Sequence, residues 1–245
     1  MSTHSLLADA VPLTPERHGS YSLATGEGYA AFRTMNVVPV LVDEFAALAH
    51  DYVIGFLKQG DGFAPAALLG LAENENLYVG ADGRWKAEYV PAILRQQPFV
   101  ARRSKDGKKG VLCISESHPG LNTEGEGAPL FDEDGRPGDL VSRAQQFVSR
   151  VAQGALRTES FCARLADLNL LSPIRTEMKR ADGTVRAMRG VFAINREALD
   201  KLPAKVLGAM QKDGSLEAIH LHLYTLRNLN SLANRIQTSG TGPLN

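Results

Sequence analysis

Residues 99–115 read FVARRSKDGKKGVLCIS. Two strand-like runs, 99–103 and 110–115, flank Asp106-Gly107, a dipeptide that favours a tight antiparallel turn. The stretch predicts a β-hairpin. A second hairpin is predicted downstream, with residues 174–180 and 184–194 turning at Asp182-Gly183. Hairpins join antiparallel strands locally, so they argue against the helical crossovers of a doubly wound sheet.

Upstream, the β-branched run 37–42 reads as a buried strand. Asp43 suits the cap of a short helix over 43–51, with Phe45, Ala46 and Ala49 on one face. Residues 52–57 read as a second strand, and 67–71 and 77–79 as shorter ones. Ala81-Asp82-Gly83 follows as a turn. Pro91 suits the first position of a short helix that Pro98 ends. Residues 116–139, rich in Glu, Asp, Gly and Pro, predict a long loop.

Leu140, Val141, Ala144, Phe147, Val148 and Val151 then recur at helical spacing. A separate helix is predicted over 159–171, with Phe161, Leu165 and Leu168 inward and Ser172-Pro173 as its stop. Helical segments near 196–201 and 203–212 precede a final helix over 215–236, with Ile219, Leu223 and Leu226 inward. The expected fold is α+β: a mostly antiparallel sheet with hairpins in the first half, and helices packed on it from the second. Residues 1–30 mix Pro, Gly, Ser and Thr with scattered apolars and read as an irregular arm ahead of a single domain over 31–245.

The chain has 245 residues, 44% hydrophobic and 22% charged. Such a chain buries roughly 70–75% of its unfolded surface, so a substantial core is expected. Lys plus Arg and Asp plus Glu are both 27, which gives no global attraction to nucleic acid or anionic membrane. Cys113 and Cys162 sit in apolar segments and read as buried free thiols. The start, MSTHSLLADAVPLTPERHG, lacks the pattern of a secretory signal. No run of about 18 apolar residues marks a membrane span. The expectation is a cytoplasmic protein with no nucleic-acid partner.

Chemical motifs are sparse. Gly26-Glu27-Gly28, Gly60-Asp61-Gly62 and Gly125-Glu126-Gly127 do not complete a dinucleotide fingerprint, and no phosphate-cradling loop with its lysine is present. Asp132-Glu133-Asp134-Gly135 opens like a calcium loop, but Arg136, Pro137 and Arg143 occupy its later positions. His220 and His222 would share a face on a strand, yet lie about 200° apart on a helix, which the surrounding apolar spacing favours. Ser115, Glu116 and His118 are neighbours in sequence without a nucleophile motif around them. No cofactor, metal site or catalytic residue is therefore assigned. Charge is segregated: Arg95, Arg102, Arg103, Lys105, Lys108 and Lys109 precede an acidic loop, as two solvated faces, as clusters that neutralise each other across the hairpin, or as an anion site beside a site for a basic partner.

The densest constellation is residues 76–99, NLYVGADGRWKAEYVPAILRQQPF, which hold the only tryptophan. Trp85, Tyr89 and Arg95 suit either a packed corner or a binding wall, since these residue types dominate binding hot spots.

The ordered series of short motifs resembles the SapC-like, surface-layer-associated bacterial family over nearly the whole chain. The pieces are His18, Val38-Pro39-Val40 with Glu44, Leu68-Leu69-Gly70, Asn76-Leu77 with Gly83 and Trp85, and Tyr89-Val90-Pro91-Ala92. They continue through an arginine-bearing element from Arg95 to Phe99, Leu130-Phe131, Asp134-Gly135, and Gly214, Leu216, Ile219, His222, Leu223 and Leu226. The family commonly has a second arginine and a tyrosine where this chain has Gln96 and Gln97, and a proline in place of Val53.

The resemblance implies a role in surface-layer or outer-membrane biology and brings no reaction with it. It also adds Glu44 and His222 to Trp85, Tyr89 and Arg95 as candidate ligand-binding residues. The expected function is a non-enzymatic accessory protein that binds a peptide or protein partner. The alternative is an enzyme acting on a small molecule or peptide around residues 85–99.

Overall fold

A computed structural model describes residues 9–24, 26, 28–103, 110–174, 177–179, 185–187 and 190–239. In chain order, β1 (Val11–Pro12), α1 (Pro15–His18) and β2 (Ser22–Leu23) precede β3 (Val37–Pro39), α2 (Phe45–Leu48), β4 (Val53–Gln59) and β5 (Gly62–Leu68). Then come α3 (Ala92–Arg95), β6 (Phe99–Arg103), β7 (Gly110–Ile114), β8 (Leu121–Asn122) and β9 (Ala128–Pro129). The second half holds α4 (Asp139–Asp167), β10 (Leu171–Pro173), β11 (Glu177–Lys179), β12 (Val185–Ala187) and β13 (Val191–Ile194). Helices α5 (Arg196–Asp200), α6 (Ala204–Lys212), α7 (Ser215–Thr225) and α8 (Leu229–Ser239) complete the described chain. The architecture is α+β, with antiparallel sheets first and most of the helix later.

The main sheet has the order β10-β13-β4-β5-β3, with every neighbouring pair antiparallel. Its centre is a tight hairpin: β4 and β5 pair from Val53↔Leu68 to Gln59↔Gly62 across Gly60-Asp61. Gly60 has φ +59°, a conformation glycine adopts without a Cβ penalty. This hairpin replaces the expected strand over 67–71, which begins five residues earlier, at Gly62. Pro65 hides it, since proline inside a run argues against a paired strand. In the fold the Val40 amide donates to the Pro65 carbonyl at 3.1 Å, and the return bond is missing because proline has no N–H. The β3 ladder accordingly ends at Pro39.

The first predicted hairpin is β6 paired with β7, in register from Phe99↔Ile114 to Arg103↔Gly110. The second is β11 with β12, extended by β10 against β13. The Asp106-Gly107 and Asp182-Gly183 turns lie outside the described residues, as do Lys105, Lys108 and Lys109 of the basic cluster.

Three other expectations are corrected. Residues 77–79 form no strand; Val79 makes only an isolated bridge to Trp85. The two helices expected over 140–151 and 159–171 are one 29-residue helix, α4. Its buried face runs through Val141, Val148, Gly154, Thr158, Phe161, Cys162 and Leu165. In the middle of that face the buried residues are small, so the apolar periodicity lapses while the helix continues. A Cβ on Gly154 would stand 2.8 Å from Leu41 Cδ1, and Thr158 Oγ1 accepts the Val42 amide at 2.9 Å. Finally, the expected loop over 116–139 contributes β8 and β9, which sandwich β2, while β1 pairs with β7. The N-terminal segment is thus stitched into two small sheets through residues 11–23.

The larger core gathers Phe45, Tyr52, Ile54, Phe56, Leu165 and Ile219, all fully buried. A second cluster packs Phe99 and Ile114 against Val141 and Val148 of α4. The final helical stretch is helical over 215–239, with a 3-10 turn at Leu226–Asn228 between α7 and α8. Ile219 and Leu223 are buried and Leu226 is half-buried. Thr225 Oγ1 accepts the Ile54 amide at 3.2 Å, and Asn228 Nδ2 donates to the Ala49 and Tyr52 carbonyls, which locks this stretch onto β4. Cys113 and Cys162 are buried free thiols, and burial pushes the Cys162 thiol up to about 12. Among the described residues, no helix is long and apolar enough to cross a membrane.

Candidate functional site

The 80–85 segment turns back on itself. Gly83 donates to the Gly80 carbonyl at 2.9 Å, and the Val79–Trp85 bridge returns Trp85 to the body of the protein. There Trp85 stacks on Tyr78 (5.9 Å, 23°) and meets Tyr29 edge-on (5.4 Å, 67°). Its Nε1 donates to the Tyr52 hydroxyl at 2.6 Å, and that hydroxyl donates to the Tyr89 carbonyl. Tyr52 itself stacks on Tyr78 at 4.7 Å. Burial pushes both of these phenols upward, so they are neutral donors at any physiological pH.

Glu44 is the hub of the same corner. It is 5% exposed and sits at the end of the 3-10 turn Val42–Glu44. One carboxylate oxygen accepts the Leu41 amide at 2.8 Å. The other accepts the Ala92 amide at 2.7 Å and the Tyr89 hydroxyl at 3.0 Å. Glu44 therefore satisfies an otherwise orphaned donor at the start of α3 and fixes the Tyr89 ring. Burial, then the Glu44 charge, push the Tyr89 phenol up to about 12. Arg95, on α3, donates from Nη2 to the Tyr89 hydroxyl at 2.7 Å. Its guanidinium lies 4.8 Å from the centre of the Tyr89 ring and 5.1 Å from that of Phe147 on α4.

A cleft of about 750 Å³ opens beside this corner. Three segments line it: residues 23, 24, 26 and 28–32, the corner from Arg84 to Gln97, and the turn 115–119. The first is held by the Tyr29 amide, which donates to the Gly83 carbonyl at 2.7 Å. Gly28 lies so close to that carbonyl that a Cβ would stand 3.0 Å from it.

Of the five candidate residues, the structure joins four through hydrogen bonds: Trp85 to Tyr89 by way of Tyr52, and Arg95 to Glu44 by way of Tyr89. Trp85 and Arg95 line the cleft; Tyr89 and Glu44 stand behind them. His222 is elsewhere, fully buried on α7 against Phe56 at 5.0 Å. Its Nε2 accepts the Ile194 amide at 3.2 Å, and its Nδ1 has no partner in hydrogen-bond geometry among the described residues. His220 is exposed, and no cluster of His, Cys, Asp or Glu suited to a metal occurs among the described residues. The Ser115 hydroxyl donates to Asp9 at 2.8 Å and lies 3.3 Å from the Ser117 hydroxyl, while Glu116 is gripped by the Arg17 fork. The Ser115–Glu116–His118 neighbourhood is thus divided among separate partners.

Burial pushes His222 down to about 4 from an ordinary 6.5, the Ile54 backbone opposing the shift. The native state keeps the ring neutral while the unfolded chain protonates it below pH 6.5. Its contribution to stability is present above about pH 6.5 and is lost as pH falls toward 4. The expected loss between pH 7 and pH 5 is about 2 kcal/mol. Urea midpoints across that range should fall for the wild type and stay flatter in His222→Gln; parallel pH profiles would exclude His222 as the source.

Residues 23, 24, 26 and 28–32 and Tyr52 were not legible as site residues. Nothing local in the sequence places them next to a stretch 30 to 60 positions away.

Fold and cleft together define an α+β protein with a ligand-sized pocket backed by a hydrogen-bonded aromatic corner. The SapC family model matches residues 13–232, and the chain belongs to that family. No curated protein and no solved structure matches it significantly.

Proposed function

We propose that this chain is a non-enzymatic accessory protein that binds a peptide or protein partner in surface-layer or outer-membrane biology, acting from the cytoplasm. The observation that carries the reading is the cleft itself. Its volume of about 750 Å³ lies in the range of binding pockets, and its lining mixes Tyr29, Trp85 and Val90 with Arg84, Arg95 and Gln97. Apolar area with a few placed polar groups is the usual composition of a recognition site. The hydrogen bonds behind Trp85 and Arg95 hold these side chains before a ligand arrives, which lowers the entropy lost on binding. Membership of the SapC family supports the biological setting.

Ala31 is exposed and lines the cleft, so Ala31→Phe fills the space without altering the core. Tagged wild-type protein should retain a defined partner in a native pull-down, and the purified partner should bind Ala31→Phe at least about tenfold more weakly. A partner bound equally by both proteins would place recognition elsewhere. Turnover of a small molecule by purified wild type, lost in Ala31→Phe, would establish the enzymatic alternative. That second reading draws on Ser117 and His118, which line the same cleft.

A further inference from the structure

The cleft is apolar in most of its lining, yet the formal charges of its described residues have one sign. Arg84 and Arg95 line it, and among the described residues no aspartate or glutamate does. Arg84 is exposed and lies 3.9 Å from Asp82, which is also exposed, a pairing that solvent weakens. Arg95 differs. Among the described residues it makes no ion pair, and its one hydrogen bond there, from Nη2, goes to a neutral phenol. Its Nε and Nη1 donors have no hydrogen-bond acceptor among the described residues.

Unpaired surface arginines are ordinarily mobile. This one is held in three ways: the Tyr89 ring on one contact, the Phe147 ring on another, and the Tyr89 hydroxyl. Tyr89 is itself fixed by the buried Glu44. Among the described contacts Glu44 meets Arg95 through the Tyr89 hydroxyl, and its oxygens accept the Leu41 amide, the Ala92 amide and that hydroxyl. A guanidinium so oriented presents a planar fork of donors with its rotamer freedom already reduced. That geometry matches a carboxylate, which accepts two parallel N–H bonds.

We infer that the cleft binds a peptide carboxylate adjoining an apolar side chain, with Arg95 taking the carboxylate and the wall around Trp85 and Val90 taking the side chain. The inference rests on the partner-binding reading above and narrows it. The carboxylate has two sources in a peptide, the free C-terminus and an internal Asp or Glu. Either leaves the apolar remainder to be covered by the lining, which a free inorganic anion would not do.

The test uses three synthetic hexapeptide libraries on the full-length protein. One carries free C-termini and no acidic residue, the second is the same library amidated, and the third is amidated with Asp and Glu allowed. Retained peptides are sequenced and resynthesised. Their affinities are read from the emission of Trp85, the only tryptophan in the chain. Enrichment of the first library over the second, with an apolar last residue, supports the inference with the C-terminus as source. Enrichment of the third over the second supports it with a side-chain carboxylate. Arg95→Gln should weaken the winning peptides by about tenfold or more, the scale of a charge-assisted hydrogen bond, and bring acid and amide forms together.

Arg95→Gln also loses ring contacts, so Ala31→Glu serves as a second variant. It leaves Arg95 and its neighbours intact and sets a competing carboxylate in the lining, and it should weaken acidic ligands more than amidated ones. Equal retention of all three libraries would overturn the carboxylate inference and leave the peptide-binding reading standing. Retention of none by a folded wild type would overturn both. Full binding of acidic peptides by folded Arg95→Gln would overturn the role of Arg95.

Discussion

Glu44→Ala is expected to destabilise the protein by roughly 3–5 kcal/mol, the scale of removing one partner from a buried charged cluster. The substitution takes away the acceptor of two backbone amides, Leu41 and Ala92, and of the Tyr89 hydroxyl. Each buried donor left unsatisfied costs about 1–3 kcal/mol, and the three are not fully independent. Glu44→Gln keeps one carbonyl oxygen but brings an NH2 group toward donors, so it should recover only part of the loss. Urea unfolding reads both variants as shifts of the midpoint at unchanged slope. A Glu44→Ala loss below about 1 kcal/mol would mean that water replaces the carboxylate and that Glu44 does not anchor the corner. In the cleft the same variant should loosen Arg95, because the phenol that holds it has lost its own acceptor.

Glu44 shows how far the sequence could be read. The helix cap was read at its neighbour Asp43, and family resemblance alone marked Glu44 as a site residue. Its hydrogen bonds to Tyr89 and Ala92 span nearly fifty positions and leave no local pattern. Elements set by short-range chemistry were legible. The two hairpins announced themselves through Asp-Gly turns, and α7 through apolar spacing that excluded a shared face for His220 and His222. Elements set by tertiary approach were not. The β4–β5 hairpin was masked by Pro65, whose missing N–H matters only where β3 comes alongside. The continuity of α4 was masked by Gly154 and Thr158, small because residues 41–43 press against them. His222 was grouped with the corner by family pattern alone, and the fold buries it beside Phe56 instead.

Trp85→Ala should cost about 3 kcal/mol of stability, at the low end for truncating a large aromatic because the ring is only partly buried. It removes the stack on Tyr78 and the edge contact with Tyr29, and it deprives the Tyr52 hydroxyl of a donor. Trp85→Phe separates these losses. It keeps a ring at the stack and drops the N–H, so it should cost about 1 kcal/mol, the net value of one hydrogen bond. Tyr52→Phe removes the acceptor of that bond and also the donor to the Tyr89 carbonyl. If the indole–phenol bond ties the cleft wall to the core, the two substitutions together should cost less than their sum, by about 0.5–1.5 kcal/mol. Strict additivity would show that the bond contributes nothing and that the corner is held by ring packing alone. Binding adds the second axis of this test. Ligand affinity should fall with Trp85→Ala and survive in Trp85→Phe, because a wall needs a ring and not an N–H. A Trp85→Phe variant that keeps its stability but loses its ligand would instead assign the indole N–H to the ligand, and Tyr52 would be only its resting partner.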